Sequence, residues 1–201
     1  MRLNKVRLDI NVLVNKDNPL DLNYIPDNLY IVDDNKDNFH NYKDPNLKPM
    51  LRKDIKKYID MLLMDAKDLG FPLIVDSGYR SSSYQQVILE KLIEEKGMEA
   101  YKLVALPGMS EHQTGLAVDF AYYKDGVYDD DVKEDDEEAI WLKKNSWKYG
   151  FILRYPKGKE DITGYNFEPW HFRFVGLELA KKIYDEDITL EEYYKNSNII
   201  L

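Results

Sequence analysis

The chain has 201 residues, of which 44% are hydrophobic and 32% charged, and a formal net charge of −9. Such proportions belong to a globular domain with enough chain for one sizeable core. No apolar run approaches the roughly 20 residues of a membrane-spanning helix. No basic stripe is available to carry a phosphate backbone, which excludes nucleic acid as a partner. With no cysteine at all, disulfides and thiolate metal sites are excluded as well.

The first 50 residues are rich in Asn, Asp and Pro and read as an extended arm with short strands, packed on a single domain spanning 1–201. The start, "MRLNKVRLDINVLVN", lacks the uninterrupted apolar stretch of a secretory leader. The expected location is therefore the cytoplasm, the alternative being an extracytoplasmic protein whose leader or anchor has been removed. Apolar residues at three- and four-residue steps predict a helix from Leu51 to Leu69, stopped by Gly70. "PLIVD" at 72–76 reads as a buried strand ending in the turn "SGYR". A second helix is expected over 82–96, with Tyr84, Val87, Ile88 and Leu92 on its inner side.

After a short helical piece at 99–105 and the loop "LPGMSEHQTG", a strand is predicted over 116–122. Nine acids against two lysines follow in "KDGVYDDDVKEDDEE" at 124–138. That run reads as a solvated loop and helix start, with calcium binding as the alternative. A helix over 137–149 ends at Gly150, and the strands "FILRY" and "HFRFV" flank a Gly- and Pro-containing loop. Two short helices close the chain, the last opening on Thr189 and Glu192 at capping-box spacing. The pattern predicts an α+β fold, a small and mostly antiparallel sheet flanked by helices.

Strand 116–122 contains an anomaly. Side chains alternate, so Leu116, Val118 and Phe120 point to one face while Ala117, Asp119 and Ala121 point to the other. A buried carboxylate costs several kcal/mol unless something compensates it. Taken alone, an Asp–Arg salt bridge would serve. "EPWHFRF" at 168–174, however, puts Glu168 and His171 at the entry to a second strand, and His112 lies on the loop feeding the first. If the strands are neighbours, two imidazoles and one carboxylate converge as a three-ligand zinc set with an open fourth position. Glu168 would then be the base beside it. Arg80, at a strand-to-helix turn, is placed for a carboxylate or a developing oxyanion, or for an ordinary ion pair. Gln85 reads as helix surface or a substrate contact, Ser110 as a substrate donor or a bland cap, and Trp170 as a pocket wall or core packing. His40 has no partner motif and reads as a surface residue.

Four segments, "SGYRSSSYQ", "ALPGMSEHQTGLAVDF", "YGFILRYPKGKEDITGY" and "EPWHFRFVG", resemble the zinc D-alanyl-D-alanine carboxypeptidases of the VanY and VanXY type, LAS-type metallopeptidases. The resemblance runs from "VNKDNPL" to "TLEEYY". It implies the Hedgehog/D-Ala-D-Ala peptidase-like fold, zinc on His112, Asp119 and His171, Glu168 as catalytic base and Arg80 on the oxyanion or the substrate. Gln85, Ser110 and Trp170 match positions of substrate contacts. The implied reaction is hydrolysis of the bond before a C-terminal D-alanine in peptidoglycan precursors or stem peptides, with D-Ala-D-Ala dipeptidase activity as an extension. The alternatives are an L,D-carboxypeptidase trimming tetrapeptides, a cell-wall endopeptidase, and a non-catalytic zinc-containing cell-wall binding module.

Overall fold

A computed structural model describes residues 8–32, 48–124 and 126–197, without the side chain of Lys124. His40 lies outside the described residues. Strand β1 (Leu29–Ile31) pairs antiparallel with β2 (Met50–Arg52). The helix expected from Leu51 therefore begins later, as a 3-10 turn at Lys53–Ile55 and then α1 (Lys56–Asp68). The apolar spacing at 51 and 55 is shared by both readings, and a distant partner, Tyr30 opposite Leu51, decides between them.

After β3 (Leu73–Ser77), helix α2 (Ser82–Lys96) starts where Ser81 caps it, its hydroxyl accepting from the Tyr84 N–H at 3.1 Å. Its inner face departs from the expected one: Gln85 and Leu89 are buried, whereas Tyr84 and Val87 are exposed. Next come α3 (Ala100–Leu103), β4 (Ala117–Lys124) and β5 (Val127–Asp129). The acidic run thus opens as a hairpin rather than a loop, the two strands turning at Gly126 with φ of 79°. Helix α4 (Glu137–Asn145) continues as a 3-10 turn to Tyr149. Strand β6 (Phe151–Leu153), the short helix α5 (Glu160–Thr163), β7 (His171–Phe174), α6 (Leu177–Glu186) and α7 (Leu190–Ser197) complete the described chain.

The main sheet runs β3-β4-β7-β6, all neighbours antiparallel, with β5 paired to β4. Val118, Phe120, Phe172 and Phe174 are buried with Leu51, Ile55, Ile59 and Leu62 from β2, α1 and the turn between them. The Phe120 and Phe172 rings meet edge-on at 5.6 Å. Each fully buried aromatic or aliphatic side chain in such a layer is worth about 1.5–3 kcal/mol. A second cluster, centred on Ile152, Val175, Leu179, Ala180 and Ile183, fixes α6 against the β6–β7 end of the sheet. Among the described residues, no helix is long and apolar enough to cross a membrane.

Two registers bring polar side chains together at the centre of the main sheet. Asp119 stands opposite His171 across the β4–β7 pair and opposite Ser77 across β3–β4. A register shift between Val75 and Ser77 marks a bulge at the end of β3, just before the turn that carries Arg80.

Candidate active site

Central strands β4 and β7 bring Asp119 and His171 side by side, and the 3-10 turn Glu111–Thr114 that feeds β4 supplies His112. One ligand atom from each of these three residues lies within 4.8 Å of the others, the one such group among the described residues. The acidic run at 129–138 forms no comparable cluster there. His112 Nε2 is 3.1 Å from Asp119 Oδ2, and His171 Nδ1 is 2.7 Å from Asp119 Oδ1.

The histidines are oriented by what their other nitrogens face. His112 Nδ1 donates to the Gly78 carbonyl at 2.6 Å, so its Nε2 carries a lone pair when the ring is neutral. Gly78 can approach because it has no side chain: a Cβ there would stand 2.3 Å from the Met50 carbonyl oxygen. Burial, then Arg80, pushes His112 below its ordinary pKa, which keeps the ring neutral. A lone pair facing a carboxylate oxygen at hydrogen-bond distance is an arrangement of two acceptors, and it calls for a cation between them. Ligand atoms around a tetrahedral zinc stand roughly 3.3 Å apart for bonds of about 2.0–2.1 Å. The donor set, its spacing and the orphaned acceptors all fit that ion.

Arg80 qualifies the picture. Its Nη2 lies 3.5 Å from Asp119 Oδ2, so a long ion pair exists alongside the cluster. Nη1 donates to Gln85 Oε1 at 3.0 Å, Nη2 donates to Ser77 Oγ at 3.2 Å, and the Arg80 N–H donates to the His112 carbonyl. Gln85 in turn donates to the Ala105 carbonyl at 2.7 Å. Gln85 is therefore buried rather than on the helix surface, with both amide ends engaged by the protein and one of them bracing the guanidinium.

Glu168 precedes β7 and sits on the same side as the ligands, its Oε2 4.0 Å from His171 Nδ1. Burial pushes its carboxyl up to about 7, with Asp119 and Glu111 adding to the rise while His171 and Arg80 oppose it. A base poised near neutrality can both take and return a proton. Ser110 is buried at the head of the His112 turn and caps nothing with its side chain. Trp170 packs against Tyr122, Val132 and Ala139, beside Leu73, which is the packing alternative raised by the sequence.

Other residues at the site went unread in the sequence. The Tyr155 ring stacks on His171 at 4.9 Å and 15°, and Glu111 lies behind the same imidazole. The glutamate was visible in "SEHQ", and the arginines that hold it stand inside the apolar strands "FILRY" and "HFRFV".

A helix-flanked antiparallel sheet carrying two imidazoles, one carboxylate and a nearby glutamate defines a mononuclear metallohydrolase. Residues 48–177 match the VanY family, D-alanyl-D-alanine carboxypeptidase. The Bacillus subtilis protein YodJ, named as a carboxypeptidase, is 42% identical over 188 residues, 93% of this chain and 67% of YodJ. The bifunctional D-Ala-D-Ala dipeptidase and carboxypeptidase VanXYC of Enterococcus gallinarum is 37% identical over 90% of this chain and 92% of its own. Among solved structures, the LdcB LD-carboxypeptidase superposes with a TM-score of 0.81 at 42% identity, covering 92% of this chain and 86% of LdcB. A vancomycin-resistance D,D-pentapeptidase VanY, solved with Zn(II), gives 0.75 at 36% identity over 91% and 97%. The chain belongs to the VanY D-alanyl-D-alanine carboxypeptidase family, and it is a zinc-dependent carboxypeptidase.

Proposed function

We propose that this enzyme removes a C-terminal D-alanine from peptidoglycan precursors or stem peptides, with His112, Asp119 and His171 holding the zinc. The observation that carries the assignment is the acceptor-against-acceptor geometry of His112 and Asp119, with His171 on the other oxygen of the same carboxylate, beside a glutamate tuned to about 7. When bound, zinc supplies Lewis acidity, activating water and polarising the scissile carbonyl. Glu168 takes the proton of the attacking water and delivers it to the departing amine of D-alanine, so the proton count closes within one residue. Arg80, braced by Gln85 and Ser77, faces the oxygen on which negative charge develops. Ser110, buried in the loop ahead of β4, is assigned to the substrate carboxylate.

Pentapeptide, tetrapeptide and D-Ala-D-Ala digests, followed side by side by mass spectrometry, test the reading. Release of D-alanine from the pentapeptide is expected; no release from any of the three with zinc present would sink it. A second reading, an L,D-carboxypeptidase acting on the tetrapeptide, draws on the LdcB likeness at 42% identity. In that case only the tetrapeptide is trimmed. Dipeptide cleavage would follow the VanXYC likeness instead. Soluble precursors in the cytoplasm are the proposed pool, and cell fractionation tests it.

A further inference from the structure

The two imidazoles of the cluster present opposite nitrogens to Asp119: Nε2 from His112 and Nδ1 from His171. For His112 a backbone carbonyl fixes the choice. For His171 the remaining nitrogen, Nε2, faces Glu111 Oε2 at 3.7 Å, and among the described residues neither atom has a hydrogen-bond partner. Both atoms are buried, and the Glu111 side chain is 0% exposed.

The other oxygen of Glu111 is fully engaged. Oε1 accepts from Arg154 Nε and from Arg173 Nη1, each at 2.8 Å. Those guanidiniums are anchored beyond it, Arg154 on Glu191 at 2.9 and 2.5 Å and Arg173 on the carbonyls of Ile10, Val12 and Phe174. Two buried arginines on one oxygen hold the carboxylate in its anionic form and fix its rotation, which leaves Oε2 aimed at the imidazole. Asp119 Oδ1, at 2.7 Å, competes for a proton on Nδ1; once a cation occupies that side, Nδ1 must present its lone pair and the buried Glu111 anion is the group that faces the proton left on Nε2.

We infer that Glu111 is a positioning residue for the metal: clamped by Arg154 and Arg173, it sets the tautomer and orientation in which His171 ligates through Nδ1. The inference rests on the proposed role of His171 and adds a reason for its geometry. A carboxylate behind a ligating histidine raises the basicity of the ligand, and losing such a partner typically costs ~10–100-fold in metal affinity.

The test reads zinc itself rather than turnover. In the zinc-loaded wild-type protein, ¹⁵N NMR of the histidine rings should give His171 with its proton on Nε2 and His112 with its proton on Nδ1. In Glu111→Gln, chelator competition should give a zinc dissociation constant ~10–100-fold higher, together with a shifted His171 ring signal. Asp65→Ala serves as the structural control. It removes the acceptor of the Tyr149 hydroxyl, a 2.6 Å bond of the core with no route to the cluster, and zinc affinity should not move. A folded Glu111→Gln with wild-type affinity and an unchanged His171 tautomer overturns the inference while leaving His171 a ligand. Wild-type protein in which zinc does not perturb His171 overturns the ligand assignment and the inference together. If Glu111→Gln does not fold, the wild-type spectrum decides: a proton on His171 Nδ1 refutes the inference, and one on Nε2 supports it.

Discussion

Glu111 and Asp119 stand on opposite sides of the same imidazole, and the protein compensates them in different ways. Glu111 Oε1 lies in a closed set, with two arginines on that oxygen and a second carboxylate, Glu191, balancing the charge, and only Oε2 is left over, aimed at His171. Asp119, with its side chain 15% exposed, is met by two imidazoles and one guanidinium at 3.5 Å, and the nitrogen it receives from His112 is an acceptor. A structural polar cluster closes on itself; a functional one leaves valence for something that arrives later. That contrast, rather than burial alone, separates the metal site from the arginine network behind it.

The sharpest way to break the contrast is at Glu168, which touches the open side only. Glu168→Gln should lower kcat by about 10²–10⁴-fold, while zinc content, measured by atomic absorption, stays at the wild-type level. Loss of zinc would mean that this glutamate belongs to the ligand set. The next effect is on stability. Glu111→Ala strands two buried guanidiniums and should cost about 3–5 kcal/mol in denaturant unfolding. Asp119→Ala, compared in zinc-free buffer, should cost less than half of that, because its partners are few and in part repulsive. Equal costs would erase the distinction between the regions.

Smaller effects come from the arginine that borders both Asp119 and the substrate side. Arg80→Lys keeps the charge but loses the planar fork that Gln85 and Ser77 hold, and should reduce kcat/KM by about 10²-fold with zinc affinity unchanged. Gln85→Leu leaves the guanidinium in place but less well aimed, for a loss of about tenfold. If the glutamine variant proves the worse of the two, Gln85 meets substrate directly and the reading of it as a brace fails.

How much of the fold and site was legible depends on how local each signal is. Asp119 stood out because strand alternation is a period-two pattern, and Val118 and Phe120 do enter the core as it requires. The pairing with His171 was legible from "EPWHFRF" as a strand entry, and Asp119↔His171 is the register found. Helix α2 misled because periodicity sorts residues by apolarity, whereas Gln85 is buried for its two hydrogen bonds and Tyr84 is left outside. Glu111 escaped notice since its arginines lie 43 and 62 residues downstream. Nothing within one turn of the glutamate announces them.

The weakest expected effect probes the far end of the closed network. Glu191, the second anchor of Arg154, rides on the first turn of α7, and that turn is set by a capping box. The Thr189 N–H donates to Glu192 Oε2 at 2.8 Å, and the Glu192 N–H donates to Thr189 Oγ1 at 3.1 Å. Burial works against the Glu192 carboxylate, but the Thr189 N–H and Lys159 outweigh it and hold its pKa below the ordinary value. A depressed carboxyl contributes stability above its unfolded pKa, and that contribution is lost as pH falls through the folded value. Glu192→Gln should therefore lower stability by about 0.5–1 kcal/mol at pH 7, with the two melting curves converging below about pH 4. Zinc affinity should stay the same in this variant, because the perturbation stops at Glu191 while Arg173 still holds Glu111. A fall in zinc affinity would make the network a single unit from α7 to the metal, and the boundary between the two regions would have to be drawn further out.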